Sequence, residues 1–488
     1  MTLLEVFLIA LVVCIILYTF VLSRSPKNLP PGPKPLPVVG NLLDFPSGRQ
    51  VYKDFLKYRE KYGNVVRLVL GPFQNIILVF GHRAIHKALI EQGKDFKFRP
   101  TSLYVIKKLF YGKGITFGNG DAHHKLRKFT LVALRDFGVG KKSLEERIQD
   151  EAHILADEFE SYGGQPRDIR KTLQRAVANI IAGIIYGTRL DYGDPEFIRL
   201  IQNIDTIFSI TSANLPENFF PFLAHLPNSK ARKVFDAFDD MSRFARRRIK
   251  DHRKTFDKDN IRDFVDLYLQ AEEHEDEEAV NEENMFRVIV DLFNAGTDTT
   301  STTLAWAILY LMTNPDVQDQ CHKEIIENIG SGRAVSLSDK EQLQYLDATI
   351  KETLRLACIA PLTPPHTVLE DTQFEGYTIP KESTILFHLN SVLTDPNIWE
   401  TPEQFRPERF LTEEGKKKEK EFFIPFSTGP RSCLGKHLAT MELFLFLGNL
   451  LQRFTLKIPP GCQTPSVERV HTGITCQPHP YLVCVVPN

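Results

Sequence analysis

The chain has 488 residues, 42% of them hydrophobic and 25% charged, with a formal net charge of -1 at pH 7. Such a composition is globular, and a balanced charge without a basic, aromatic-interleaved block argues against a nucleic-acid partner. The cysteines, at 14, 321, 358, 433, 462, 476 and 484, show neither CxxC spacing nor a Cys/His cluster, so they suggest no zinc module and no disulfide framework and fit a reducing compartment.

The chain opens on "VFLIALVVCIILYTFVL" (Val6–Leu22), an uncharged apolar run. A helix of about twenty residues crosses a bilayer core, and the absence of a basic residue before the run and of a small-residue cleavage site after it separates it from a signal peptide. Residues 1–25 are therefore predicted to be an N-terminal transmembrane helix. Arg24, Lys27 and Lys34 follow it, which places the rest of the chain on the cytosolic side. The proline-rich stretch "LPPGPKPLPVVG" (Leu29–Gly40) forces a stiff, extended path, so residues 26–40 read as a hinge and 41–488 as one catalytic domain.

Within that domain, "NVVRLVLGPFQNIILVFG" (Asn64–Gly81) reads as two strands around a Gly-Pro turn. "DAHHKLRKFTL" (Asp121–Leu131) reads as a helix carrying His123 and Arg127. Adjacent histidines do not face each other on a helix, so His123 and His124 are not read as a metal site. Lys125 and Lys128, with Lys436, are either a basic patch for an acidic redox partner or a solvated face. The acidic run Glu272–Glu283 and the basic run Lys416–Glu421 are read as surface loops.

A helical run from about Asn284 to Thr313 holds "DLFNAGTDTTSTTLAWAILYL". It is too polar to lie in a membrane, and at about 45 Å it is long enough to cross a domain. Gly296 and the threonines weaken it locally, and Thr299 is expected to bond back to the carbonyl of Ala295. "KETLRL" places Glu352 and Arg355 on one face of a largely apolar helix; buried there, the pair needs further partners, and Arg409 of "FRPERF" can be one. A second hairpin is expected over Gly376–Leu389.

The last constellation is "FSTGPRSCLGKHLA" (Phe426–Ala439). Cys433 precedes an apolar-periodic helix whose N-terminus stabilises a thiolate. Gly429 and Gly435 let the backbone approach something flat, and Arg431 offers a fork to a carboxylate. A planar, carboxylate-bearing ligand whose iron accepts one thiolate is a haem.

The spacing Phe426-x-x-Gly429-x-Arg431-x-Cys433-x-Gly435 resembles the haem-binding signature of the cytochrome P-450 superfamily, and the whole chain resembles its microsomal family 2, which oxidises drugs, steroids and fatty acids. The resemblance implies a mainly α fold with small β-sheets and a haem b cofactor with Cys433 as axial ligand. It further implies that Arg431 pairs with a propionate, that Phe426 packs near the ring, and that Gly435, Arg127 and His366 bind haem. His123 stands where the family has a tryptophan and is likewise expected to bind haem, its imidazole donating to a propionate. Asp298 and Thr299 match the family's acid–alcohol proton relay, and Glu352, Arg355 and Arg409 its structural core. Substrate contacts are expected from Phe98–Phe117, Phe197–Leu226, Asn294–Thr299, Ile359–His366 and His471–Thr475. The implied activity is a monooxygenase acting on a lipophilic small molecule, at the endoplasmic reticulum membrane, with electrons from NADPH through NADPH-cytochrome reductase and cytochrome b5 as a second candidate partner. A haem-thiolate isomerase or dehydratase acting on a peroxide, and a haem sensor or carrier, are the alternatives.

Overall fold

The computed structural model describes residues 2, 5, 6, 12, 13, 27–36, 39–45, 51–71, 74–139, 142–211, 215–272 and 280–488. The predicted anchor, residues 1–25, lies almost wholly outside the described residues. Among the described residues, no helix is long and apolar enough to cross a membrane.

The helices that position the site are α1 (Val51–Tyr62), α2 (Gly120–Asp136), α3 (Lys142–Ser161), α4 (Arg170–Tyr186), α5 (Pro195–Ile210), α6 (Lys230–Thr255), α7 (Glu282–Thr313), α8 (Pro315–Asn328), α9 (Gln344–Ala357), α10 (Glu413–Phe422) and α11 (Lys436–Arg453). The strands are β1 (Val65–Leu70), β2 (Gln74–Phe80), β3 (His366–Thr367), β4 (Thr372–Phe374), β5 (Tyr377–Ile379), β6 (Thr384–His388), β7 (Phe454–Lys457), β8 (Arg469–Thr472), β9 (Thr475–Pro478) and β10 (Cys484–Pro487). The fold is mainly α with small sheets.

The 32-residue α7 is the central beam. Asn281 caps it, its side chain accepting from the Asn284 amide at 2.9 Å, and Glu282 and Glu283 complement the positive end of the helix. Buried residues surround most of its length, as expected of a helix with neighbours on every side. The closest neighbour is α4: a Cβ on Gly296 would stand 2.5 Å from Ile181 Cδ1, so the glycine lets the two helices touch. The C-terminal sheets dock on the same beam, with Trp306 Nε1 donating to the Cys476 carbonyl at 3.0 Å and Tyr481 Oη to that of Ala305 at 2.6 Å. α11, apolar on nearly all faces, packs against α3, α7, α8 and α9. One continuous core cluster runs through these helices.

The largest sheet has the order β1-β2-β6-β3. β1 and β2 form the expected antiparallel hairpin, but the expectation of a second hairpin over Gly376–Leu389 is corrected. β5 pairs with β4, whereas β6 runs parallel to β2 and antiparallel to β3. Every residue of β6 is buried, so it needs partners on both edges, and Pro380 lacks the N–H a continuous ladder requires.

The run Lys416–Glu421 is also corrected: it is not a loop but part of α10. Thr412 caps the helix, and the pairs Lys416–Glu413 and Lys418–Glu414 at helical spacing support it. Of the acidic run, Glu272 ends a helix over Phe264–Glu272 and Glu282 and Glu283 begin α7, while 273–279 lie outside the described residues.

Candidate haem-thiolate site

The cysteine loop is shaped by backbone constraints. Gly429 has φ +77°, and a Cβ there would meet the Leu89 carbonyl oxygen at 2.1 Å, so no other residue fits. A 3-10 turn over Gly429–Arg431 and a 2.9 Å bond from the Cys433 amide to the Phe426 carbonyl then present the sulfur at the start of α11. Gly435 is the N-cap residue, and the amides of Gly435 and Lys436 point at the sulfur. Burial raises the thiol pKa, while these amides, Arg127 and Lys436 favour the anion. The sulfur has accessible surface because it faces a cavity, although the residue lies deep in the protein.

That cavity, of about 990 Å³, is walled by Phe426, Arg431, Cys433, Gly435 and Leu438 on one side and by Asn294, Ala295, Gly296, Thr299 and Thr300 of α7 on another. Arg99, Arg127 and Arg431 also line it. Arg99 donates to the carbonyls of Thr116, Pro364 and Pro365 at 2.8–3.1 Å. Arg127 donates to Ser432 O at 2.7 Å, and Arg431 to Lys97 O at 2.7 Å and Gly118 O at 2.6 Å. No carboxylate among the described residues pairs with any of the three. Burial lowers the proton affinity of all three, and mutual repulsion adds to it at Arg99 and Arg431, the latter pushed down to about 10. A buried cluster of cations without counter-ions calls for anions. Two carboxylates on a flat, apolar ligand meet that demand, while the amide-backed thiolate offers iron a ligand. The residues fit a haem.

His123 is buried with Nε2 2.5 Å from Arg431 Nη1 and 3.1 Å from Ile115 O. A guanidinium can only donate, so the shorter contact uses the Nε2 lone pair; burial and then Arg431 hold the imidazole neutral, pushed down to about 3. His366 is fully buried and absent from the cavity wall: its ring contacts Phe96 O through Nδ1 at 2.7 Å, and burial with Arg99 lowers its pKa well below the usual histidine range.

On α7, Thr299 Oγ1 donates to Ala295 O at 2.7 Å and lines the cavity. Asp298 does not; its Oδ2 accepts from Thr475 Oγ1 at 2.9 Å, and burial pushes its pKa up to about 6. The acid and the alcohol thus occupy different surroundings. Glu352, by contrast, is brought together with both arginines: Arg355 donates to its two oxygens at 2.8 and 2.9 Å and Arg409 at 3.0 Å. Carbonyls of Leu393, Pro402 and Glu400 take up remaining guanidinium protons. Of the lysines, Lys125, Lys128 and Lys436 are exposed, on α2 and at the start of α11.

Sequence reasoning passed over Arg99, Thr475 and Glu442 as individual residues. A lone arginine inside the aromatic "FKFRP" was the one available signal for Arg99.

The model of the Cytochrome P450 family matches residues 30–485. The chain belongs to the cytochrome P450 family. It is 39% identical over 466 residues to cytochrome P450 2B4 of Oryctolagus cuniculus, covering 94% of each chain. It is 35% identical over 492 residues to cytochrome P450 2A6 of Homo sapiens, covering 100% of this chain and 99% of the relative. To cytochrome P450 2J5 of Mus musculus it is 38% identical over 490 residues, covering 99% and 96%. As a cytochrome P450 it is a monooxygenase of the oxidoreductase class, with a haem cofactor whose axial ligand is a cysteine thiolate.

Proposed function

We propose that this cytochrome P450 inserts one oxygen atom from dioxygen into a steroid, a fatty acid or another lipophilic molecule, using electrons that NADPH supplies through NADPH-cytochrome reductase. When bound, the haem supplies the electron chemistry that reduces and cleaves dioxygen, and its thiolate ligand favours that cleavage. The reading is carried by one observation: an amide-backed cysteine sulfur and three acid-free guanidiniums open into the same cavity as Thr299.

In this reading Cys433 ligates the iron, and Arg99, Arg127 and Arg431 hold the propionates. His123 positions Arg431 by accepting a hydrogen bond from its guanidinium, and His366 stands beside Arg99. Phe426 and Gly435 shape the surface against the ring. Thr299 turns its hydroxyl from the Ala295 carbonyl toward the cavity to hand on a proton. Asp298, whose proton affinity lies near neutrality, resupplies it after leaving Thr475. The mainly apolar cavity wall, with Phe110, Phe117, Ile207, Phe208, Leu362 and Ile474, excludes water and accepts a lipophilic substrate.

Residues 1–25 anchor the enzyme in the endoplasmic reticulum membrane through the hinge at 26–40, with the catalytic domain, 41–488, on the cytosolic side. Lys125, Lys128 and Lys436 face the reductase, with cytochrome b5 as a second partner for the same surface. The acid and alcohol on α7 favour this reading over a peroxide isomerase. The test is reconstitution with reductase: oxygen consumption and product formation should require NADPH, and Thr299→Ala should divert electrons to peroxide. Rearrangement of a peroxide substrate without NADPH would overturn it.

A further inference from the structure

Three ionisable groups on the cavity wall, Lys230, Asp291 and Glu442, have no part in the mechanism above. Asp291 accepts from the amides of Ile115 and Thr116, whereas Glu442 has no such donors. It lies on α11 on the face that carries Gly435, Leu438 and Ala439, all cavity-lining, and it meets Thr300 of α7 where the two helices converge. It is only 1% exposed, and its Oε1 has no hydrogen-bond partner among the described residues. Among the described residues, Thr300 is the one polar side chain that acts on it. No charged group does so from α3, α7, α8, α9, β7 or the turn at Leu337–Asp339, the elements packed on α11. A carboxylate buried in such a place has no compensating cation.

We propose that Glu442 is the charge-compensating acid of the haem pocket: uncharged beside the cofactor at neutral pH, and, when ionised, taking up one proton as the cofactor takes up one electron. The proposal rests on the haem-thiolate reading. Burial pushes the carboxyl up to about 8. An electron arriving nearby in a medium of low dielectric raises that proton affinity further, since the added negative charge repels the carboxylate. The balance is one electron from the flavoprotein donor onto the iron and one proton from solvent onto a Glu442 oxygen. A solvent O–H bond breaks as the carboxyl O–H bond forms, and the net charge of the pocket is conserved. Below the titration range the acid is already protonated, and reduction takes up no proton there.

Several groups in and around the pocket are shifted away from that range. Asp291 and Asp298 lie at about 6, His123 at about 3 and His366 well below its usual value, and Arg431 at about 10.

The experiment is a spectroelectrochemical titration of the purified, haem-loaded protein, with dithionite as electron donor, from about pH 6.5 to about pH 9.5. The expected wild-type potential is level at the acid end and falls with rising pH toward a slope of one proton per electron. Glu442→Gln, the shape of the neutral acid, should hold the acid-end potential across the range. The same pH dependence in both proteins, or none in either, overturns the proposal. Should the variant fail to hold haem, the wild-type infrared difference spectrum on reduction at the alkaline end decides: a protonated-carboxyl band that shifts in D2O supports it, and no such band overturns it. The ferrous–CO band of the same samples reports the thiolate ligand separately, so failure of the haem-thiolate reading is distinguishable from failure of this one.

Discussion

Thr475 on β9 donates its hydroxyl proton to Asp298 Oδ2 on α7 at 2.9 Å, across 177 positions of sequence. The bond favours the ionised acid, and burial opposes it, leaving the carboxyl at about 6. Thr475→Val removes the donor, so the alkaline limb of a turnover–pH profile, where Asp298 loses the proton it hands on, should move up by about one pH unit. A profile that stays in place contradicts the coupling.

The same acid sets a stability slope. Its folded pKa lies above the unfolded value, so between about pH 4 and about pH 6 the native state holds the extra proton and stability falls as pH rises. Asp298→Asn should flatten the part of that slope due to this residue, as read from denaturant midpoints at the two ends of the window. An unchanged slope contradicts the raised pKa.

Glu352, Arg355 and Arg409 are buried with their charges paired. Removing one partner strands the others, and Arg355→Ala is expected to lose about 3–5 kcal/mol. Haem content and the unfolding midpoint should fall together. A variant with full haem content and a wild-type midpoint contradicts a structural role.

Gly296 lets α4 reach α7, with the tip of Ile181 2.5 Å from where a Cβ would stand. Gly296→Ala should cost about 1–3 kcal/mol through overpacking, and Ile181→Val, which removes that tip, should recover part of it in the double variant. Additive single effects in denaturant unfolding contradict the contact.

These relationships mark how far the sequence can be read. The cysteine loop was legible because its chemistry is local: the glycines, Arg431 and Cys433 lie within a few residues, and Gly429 needs only its own φ and one carbonyl nearby. The back-bond of Thr299 to Ala295 was legible because helix geometry fixes it. Thr475, Arg99 and Glu442 were not, since their significance arises only when strand, loop and helix meet around one cavity. The second hairpin failed for a related reason: alternation identifies β5 and β6 as strands but does not choose their partners, and full burial sent β6 to β2. α10 was misread because a charged run looks like solvated loop until its i,i+3 and i,i+4 pairs are counted.

The most direct test of the central claim is the difference spectrum of the reduced, carbon-monoxide-treated protein, wild type beside Cys433→Ser. The account predicts the red-shifted band of a thiolate-ligated haem in the wild type and its loss in the variant. A variant that keeps that band, or a wild type that binds haem without showing it, contradicts the assignment of this sulfur to the iron.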